Sequence, residues 1–139
     1  ELIPDFPYSN MVHIAGRLDV DSTWLLFATS DGQLIHEITS PRRHWPKVYE
    51  VKWETAITQD QIDQMMLWVT IEDDYETLPC EIIRLSDREI QMTLFEGRFH
   101  QIKLMFEAVW NKVVKLHRTK IGEYEIWDLQ VGERIEVEI

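Results

Sequence analysis

The chain has 139 residues, enough for one domain with a buried core and short for two. Its 45% hydrophobic and 28% charged residues are those of an ordinary globular protein, and no apolar run approaches the roughly 20 residues that span a bilayer, so a membrane partner is not expected. The net charge of -11 argues against a polyanionic partner on average, and the lone Cys80 excludes an internal disulfide framework and a cysteine-based zinc site.

Glu1 to Asn10 carries two prolines and reads as a loop leading into the domain. Met11 to Leu18 and Trp24 to Thr29 read as buried strands around the polar turn Asp19 to Thr23. Ser30-Asp31-Gly32 supplies cap chemistry for a helix with Leu34, Ile35 and Ile38 on its inner side, ended by Ser40-Pro41. Val48 to Trp53 alternates as a strand does. Thr58 is the predicted N-cap of a helix over Gln59 to Leu67, with Ile62, Met65 and Met66 as its apolar stripe. Pro79 to Leu85 and Glu89 to Phe95 are strand-like and joined by a turn at Ser86-Asp87-Arg88. After Glu96-Gly97, the residues Ile102, Met105, Phe106 and Val109 fall at helical spacing, and Val113 to Leu116 and Ile135 to Ile139 return to strand pattern. Strands and helices mixed in this way, with hairpin-length links, predict an α+β fold around a mixed, largely antiparallel sheet with packed helices.

Charge is unevenly spread. Acids concentrate in Glu72 to Glu81 and Glu123 to Glu138. Arg42, Arg43, His44 and Lys47 form one basic cluster, and Arg98, His100 and Lys103 a second, followed by Lys112, Lys115, His117, Arg118 and Lys120. Such runs are commonly solvated faces, yet they are also where an RNA phosphate would be met, because binding responds to the local field.

Gly16-Arg17-Leu18-Asp19 is the most informative tetrapeptide. On a strand, side chains two residues apart share a face, so Arg17 would sit beside Asp19 and favour its ionised form, the form a nucleophile needs. By spacing alone the signal is weak, because an Arg–Asp pair at a strand end is far more often a structural ion pair than a catalytic one. The longer run Gly16-Arg17-Leu18-Asp19-Val20-Asp21-Ser22-Thr23, with Leu25-Leu26 and Ser30-Asp31-Gly32, closely resembles the active-site motif of the RsuA-type pseudouridine synthases. The resemblance continues at Ile38 to His44, at Lys47-Val48-Tyr49-Glu50-Val51, through Glu96-Gly97-Arg98-Phe99-His100-Gln101-Ile102-Lys103-Leu104-Met105-Phe106, and at Asn111 to Val114 and Leu116-His117-Arg118. These blocks follow the family's order from about His13 to about Gly122.

The resemblance implies the pseudouridine synthase catalytic-domain fold over residues 1–139 and a cofactor-independent isomerisation of a uridine in ribosomal RNA. The small-subunit (16S) rRNA is the expected target, presented as structured RNA or within an assembling small subunit. The family's catalytic aspartate falls on Asp19, its active-site tyrosine on Tyr49, and the basic partner of the carboxylate on Lys103. Arg17 is expected to contact RNA or to fill the place of the flipped base. Arg42, Arg43, Arg98, His100 and Gln101 are expected phosphate contacts. Asp21 reads as a turn residue. A cytoplasmic monomer without a metal is expected, since the five histidines are scattered without ligand-like spacing.

Two departures from the family pattern stand out. Relatives carry an S4-type RNA-binding domain and a first catalytic-domain strand with a Lys-Pro-x-Gly pattern, and the chain starts after both, so a fragment is expected. Six tryptophans stand against five glycines. Trp24 and Trp110 occupy positions where the family has glycine, and Trp68 and Trp127 sit where small turn residues suit, whereas Trp45 and Trp53 do not classify. The pattern suggests UGA codons that mean glycine, read as tryptophan; UGG codons at 24 and 110 would end that idea in favour of genuine substitution. Competing functional readings are a non-catalytic RNA-binding or ribosome-assembly module of the same fold, a synthase acting on large-subunit rRNA, and an unrelated hydrolase using Asp19 and Asp21 as paired carboxylates.

Overall fold

The computed structural model describes residues 13–15, 23–39, 45–98, 100–126, 129, 130 and 133. Among them the order is β1 (His13–Ala15), β2 (Thr23–Trp24), β3 (Phe27–Thr29), α1 (Gly32–Thr39), β4 (Lys47–Trp53), α2 (Gln59–Leu67), β5 (Thr70–Ile71), β6 (Tyr75–Glu76), β7 (Glu81–Ser86), β8 (Glu89–Leu94), α3 (Gln101–Ala108), β9 (Val113–Ile121) and β10 (Tyr124–Glu125). The main sheet runs β10-β9-β4-β8-β7, antiparallel throughout, and β2 joins β9 in parallel. The sheet is therefore mixed and largely antiparallel, as the pattern of elements predicts.

Local chemistry sets most boundaries. Asp31 caps α1 by accepting from Gln33 N and Leu34 N at 2.9 and 3.2 Å. Thr58 and Gln61 form a reciprocal capping box at the start of α2: Gln61 N donates to Thr58 Oγ1 and Thr58 N donates to Gln61 Oε1. The predicted strand Trp24 to Thr29 is two strands, because Leu25 leaves the β2 pairing and β3 turns to pair with β1. The hairpin β5–β6 had no sequence signature; its strands are two residues each and its turn holds Asp73 and Asp74 at φ of 59° and 56°. The predicted turns and strands at Asp19 to Ser22, Ser40-Pro41 and Ile135 to Ile139 lie outside the described residues.

The core lies between one face of the sheet and helices α2 and α3. Tyr49, Val51 and Trp53 of β4, Ile90, Met92 and Leu94 of β8 and Leu116 of β9 pack there against Ile62, Met65, Ile102, Met105 and Phe106. Fully burying an aliphatic or aromatic side chain stabilises by about 1.5–3 kcal/mol, so this face holds the sheet to its helices. Trp53 stacks on Phe106 with ring centroids 5.7 Å apart. Asn111 ties the end of α3 to the end of β4 by donating to Thr55 O at 2.9 Å and accepting from Lys112 N. A second small core joins Ile38 and Ile121 to Leu25, Phe27, Leu34, Ile35 and Trp45. Here Gly122, at φ of 59°, lets the Trp45 ring lie where a Cβ would come within 2.9 Å of it.

The tryptophans thus divide by environment. Trp45 and Trp53 are packed aromatics, whereas Trp110 is 92% exposed with φ of 64°. Trp68 is half exposed on extended backbone, and Trp127 lies outside the described residues.

Candidate active site

Tyr49 and Lys103 line one pocket. Leu94 and Leu116 wall it, and Gly97, Arg98 and His100 form its rim above the start of α3. The juxtaposition follows from the fold. Tyr49 points to the helix side of β4, Leu116 stands on the adjacent strand β9, and α3 begins beneath them with Lys103 on its first turn. Asp19 and Arg17, together with Arg42 and Arg43, lie outside the described residues.

The rim is organised by a carboxylate that sequence reading passed over. Glu96 is buried and accepts from Leu78 N at 2.6 Å, from Gln101 Nε2 at 2.9 Å and from the Tyr75 hydroxyl. Gln101 Oε1 in turn accepts from Arg98 N at 3.1 Å. The turn into α3 is closed from within by these bonds, and His100 adopts a left-handed backbone at φ of 53° to make it. The Gln101 side chain is buried, lines the pocket, and bonds both Glu96 and the Arg98 backbone N–H, so it shapes the turn into α3. Arg98 is exposed and lies over the Tyr75 ring, 3.3 Å from its centroid, and His100 is half-buried at the pocket edge.

Two more cations sit behind the pocket. Arg118, expected in a solvated basic run, is 3% exposed, because inward residues of β9 alternate and it follows Leu116 by two. It stands opposite Tyr49 in register, with a side-chain hydrogen bond to it. Burial lowers the pKa of Arg118, and its proximity to Tyr49 opposes that fall. Lys47, two residues before Tyr49 on the same face, donates from Nζ to Ile38 O at 3.1 Å and Trp45 O at 3.2 Å. Burial, then the nearby charge of Arg118, pushes the Lys47 ammonium down to about 8. Lys115 and His117 alternate to the opposite face of β9. The basic run is thus split between a site and an outer surface, which spacing by two would have revealed had the strand's length been recognised.

A wider depression of about 530 Å³ lies at the far end of β4, lined by Lys52, Trp53, Glu54, Arg88 and Val114. Ser86 and the surface ion pair Lys52–Glu89 also line it. Cys80 is buried, and its thiol is pushed up to about 12, first by desolvation and then by Glu96 and Glu81, so it is no nucleophile.

The family model for RNA pseudouridylate synthase matches residues 3–108. The chain belongs to the RNA pseudouridylate synthase family. It is 41% identical over 131 residues to the ribosomal small subunit pseudouridine synthase A of Escherichia coli (strain K12), spanning 93% of this chain and 57% of that protein. The protein of the same name from Haemophilus influenzae is 42% identical over 131 residues, spanning 93% of this chain and 56% of its own length. A crystal structure of a pseudouridylate synthase superposes with a TM-score of 0.87 at 40% identity, covering 93% of this chain and 57% of that one. The chain thus spans a little over half the length of the curated relatives it matches, and its α+β sheet is the fold of this family of synthases.

Proposed function

We propose that this chain is the catalytic domain of an enzyme that converts a uridine of small-subunit ribosomal RNA to pseudouridine, with Asp19, Tyr49 and Lys103 as its reactive residues. The observation that carries the reading is the convergence of Tyr49 and Lys103 on one leucine-walled pocket in a chain about two-fifths identical to small-subunit pseudouridine synthases. The reaction is an isomerisation. The N1–C1′ bond of the uridine breaks, the uracil turns within the pocket, C5 bonds to C1′, and as C5 gives up its proton N1 takes one up, so the product is an isomer.

Each residue suits a part of that chemistry. A carboxylate at Asp19 either attacks the ribose or drives departure of the uracil, and the ammonium of Lys103 keeps it ionised. The aromatic face of Tyr49 stacks on the flipped base and its hydroxyl takes part in removing the C5 proton. Leu94 and Leu116 keep water from the detached sugar. Arg98 and His100 at the rim, with Arg17, Arg42 and Arg43, contact phosphates and give a protein of charge -11 a local attraction for RNA. No metal or cofactor enters, and the enzyme works as a monomer in the cytoplasm, where its RNA is made.

The test is to incubate uridine-labelled small-subunit rRNA with the protein and with Asp19→Asn, then map pseudouridine. Formation by the first alone is expected. Formation by both removes Asp19 from the chemistry, and formation by neither favours a binding module of the same fold.

A further inference from the structure

The site described so far leaves the role of a buried guanidinium open. Arg118 donates from Nε and Nη2 to the single carbonyl of Leu25, at 3.0 and 2.9 Å, and Leu25 N donates back to Arg118 O at 2.9 Å. The preceding residue adds a second hold from the other face of the strand. His117 Nδ1 lies 2.6 Å from Thr23 Oγ1 and 2.9 Å from Thr23 O. Between these contacts Thr23 and Trp24 pair in parallel with His117 and Arg118. Main chain and both side chains of two adjacent β9 residues thus grip three consecutive residues of one segment.

That segment follows Asp19 by four residues, a tether of at most about 14 Å even when fully extended. On its other flank Arg118 is the cross-strand partner of Tyr49. A carboxylate and a phenol that must meet one nucleotide are therefore referenced to the same side chain. A buried cation is a costly way to fill space, since an apolar residue of similar volume is commonly as stable or more so, which directs attention to geometry as the reason for Arg118.

We propose that Arg118 is a positioning residue for the isomerisation, its guanidinium fixing the Thr23–Leu25 segment beside Tyr49 and so setting the reach of Asp19, with His117 as the second point of the clamp. This rests on the function proposed above. A fork of two donors on one carbonyl cannot be reproduced by lysine, which keeps the charge and loses the geometry. Displacing a reacting group by about 1 Å costs on the order of 100-fold in rate while leaving contacts to the rest of the RNA in place.

The experiment compares wild type, Arg118→Lys, His117→Ala and Lys52→Ala on small-subunit rRNA, reading kcat and KM separately, with thermal unfolding to establish that each variant is folded. We expect kcat to fall by about tenfold or more in Arg118→Lys and severalfold in His117→Ala, with KM within about twofold of wild type and Lys52→Ala unchanged. His117 lies outside the buried face, so its variant decides the matter if Arg118→Lys fails to fold. Wild-type kcat in His117→Ala and in folded Arg118→Lys overturns the inference, as does a rise in KM alone. An inert wild type overturns the proposed function and this inference with it, whereas an active wild type with unaffected variants overturns the inference only.

Discussion

Replacing Trp110 by glycine should make this protein more stable. Helix α3 ends in a Schellman motif: Trp110 N donates to Glu107 O at 3.0 Å and Asn111 N to Phe106 O at 2.9 Å, which puts residue 110 at the left-handed position of the cap. There a side chain with a Cβ costs roughly 1–2 kcal/mol, and the indole recovers little, being 92% exposed. Glycine removes that strain and gives back about 0.4–1 kcal/mol through the freer unfolded chain. The net gain for Trp110→Gly is about 0.5–1 kcal/mol, a rise of roughly 2–4 °C in Tm for a domain of this size. Urea unfolding at 25 °C and a thermal scan read it. Two comparisons isolate the cause. Trp110→Ala keeps the left-handed strain and should gain nothing. Trp68→Gly acts on extended backbone, φ of -177°, where the indole is half buried, and should destabilise by about 1 kcal/mol. If alanine stabilises position 110 as much as glycine does, the exposed indole and not the backbone is responsible, and the reasoning fails.

Other outcomes follow from the buried polar groups. Glu96→Gln turns an amide toward the donors of Tyr75, Leu78 and Gln101, and should cost about 1–3 kcal/mol in urea unfolding while loosening the Arg98–His100 turn; a neutral effect would remove Glu96 as its organiser. Lys47 titrates near 8 in the folded protein against 10.5 when unfolded, so between these values the unfolded chain holds more protons and stability rises with pH. Relative to Lys47→Met, wild type should therefore gain up to roughly 3 kcal/mol from pH 8 to pH 10.5; parallel stability curves for the two would show that the ammonium is not desolvated. Cys80 should resist a thiol reagent at pH 8 until the protein unfolds, and rapid labelling of the native state would contradict its burial.

Much of the fold was legible because its signals are local. Thr58 with Gln61 marks a helix start by the bonds that neighbours in sequence can make, and Asp31 before Gly32 does the same for α1. The period of Ile62, Met65 and Met66, or of Ile102, Met105 and Phe106, announces a buried helix face whatever it packs against. Tyr49 and Lys103 stand in two blocks recognisable along the chain, and both line one pocket. The hairpin at Thr70 to Glu76 escaped because two-residue strands carry no periodicity and left-handed aspartates mimic an acidic surface run.

By itself, then, the sequence determined the three helices, the caps of the first two, much of the strand pattern and the family. Only the tertiary structure decided that Arg118 is buried opposite Tyr49, that Lys47 is buried near Arg118, that Gln101 bonds Glu96, and that Trp110 takes a left-handed backbone. Helix periods and caps arise between residues a few positions apart, so they can be read along the chain. Register between β4 and β9 joins residues nearly seventy positions apart, and it is set only when both strands bury their inward side chains against the same helices.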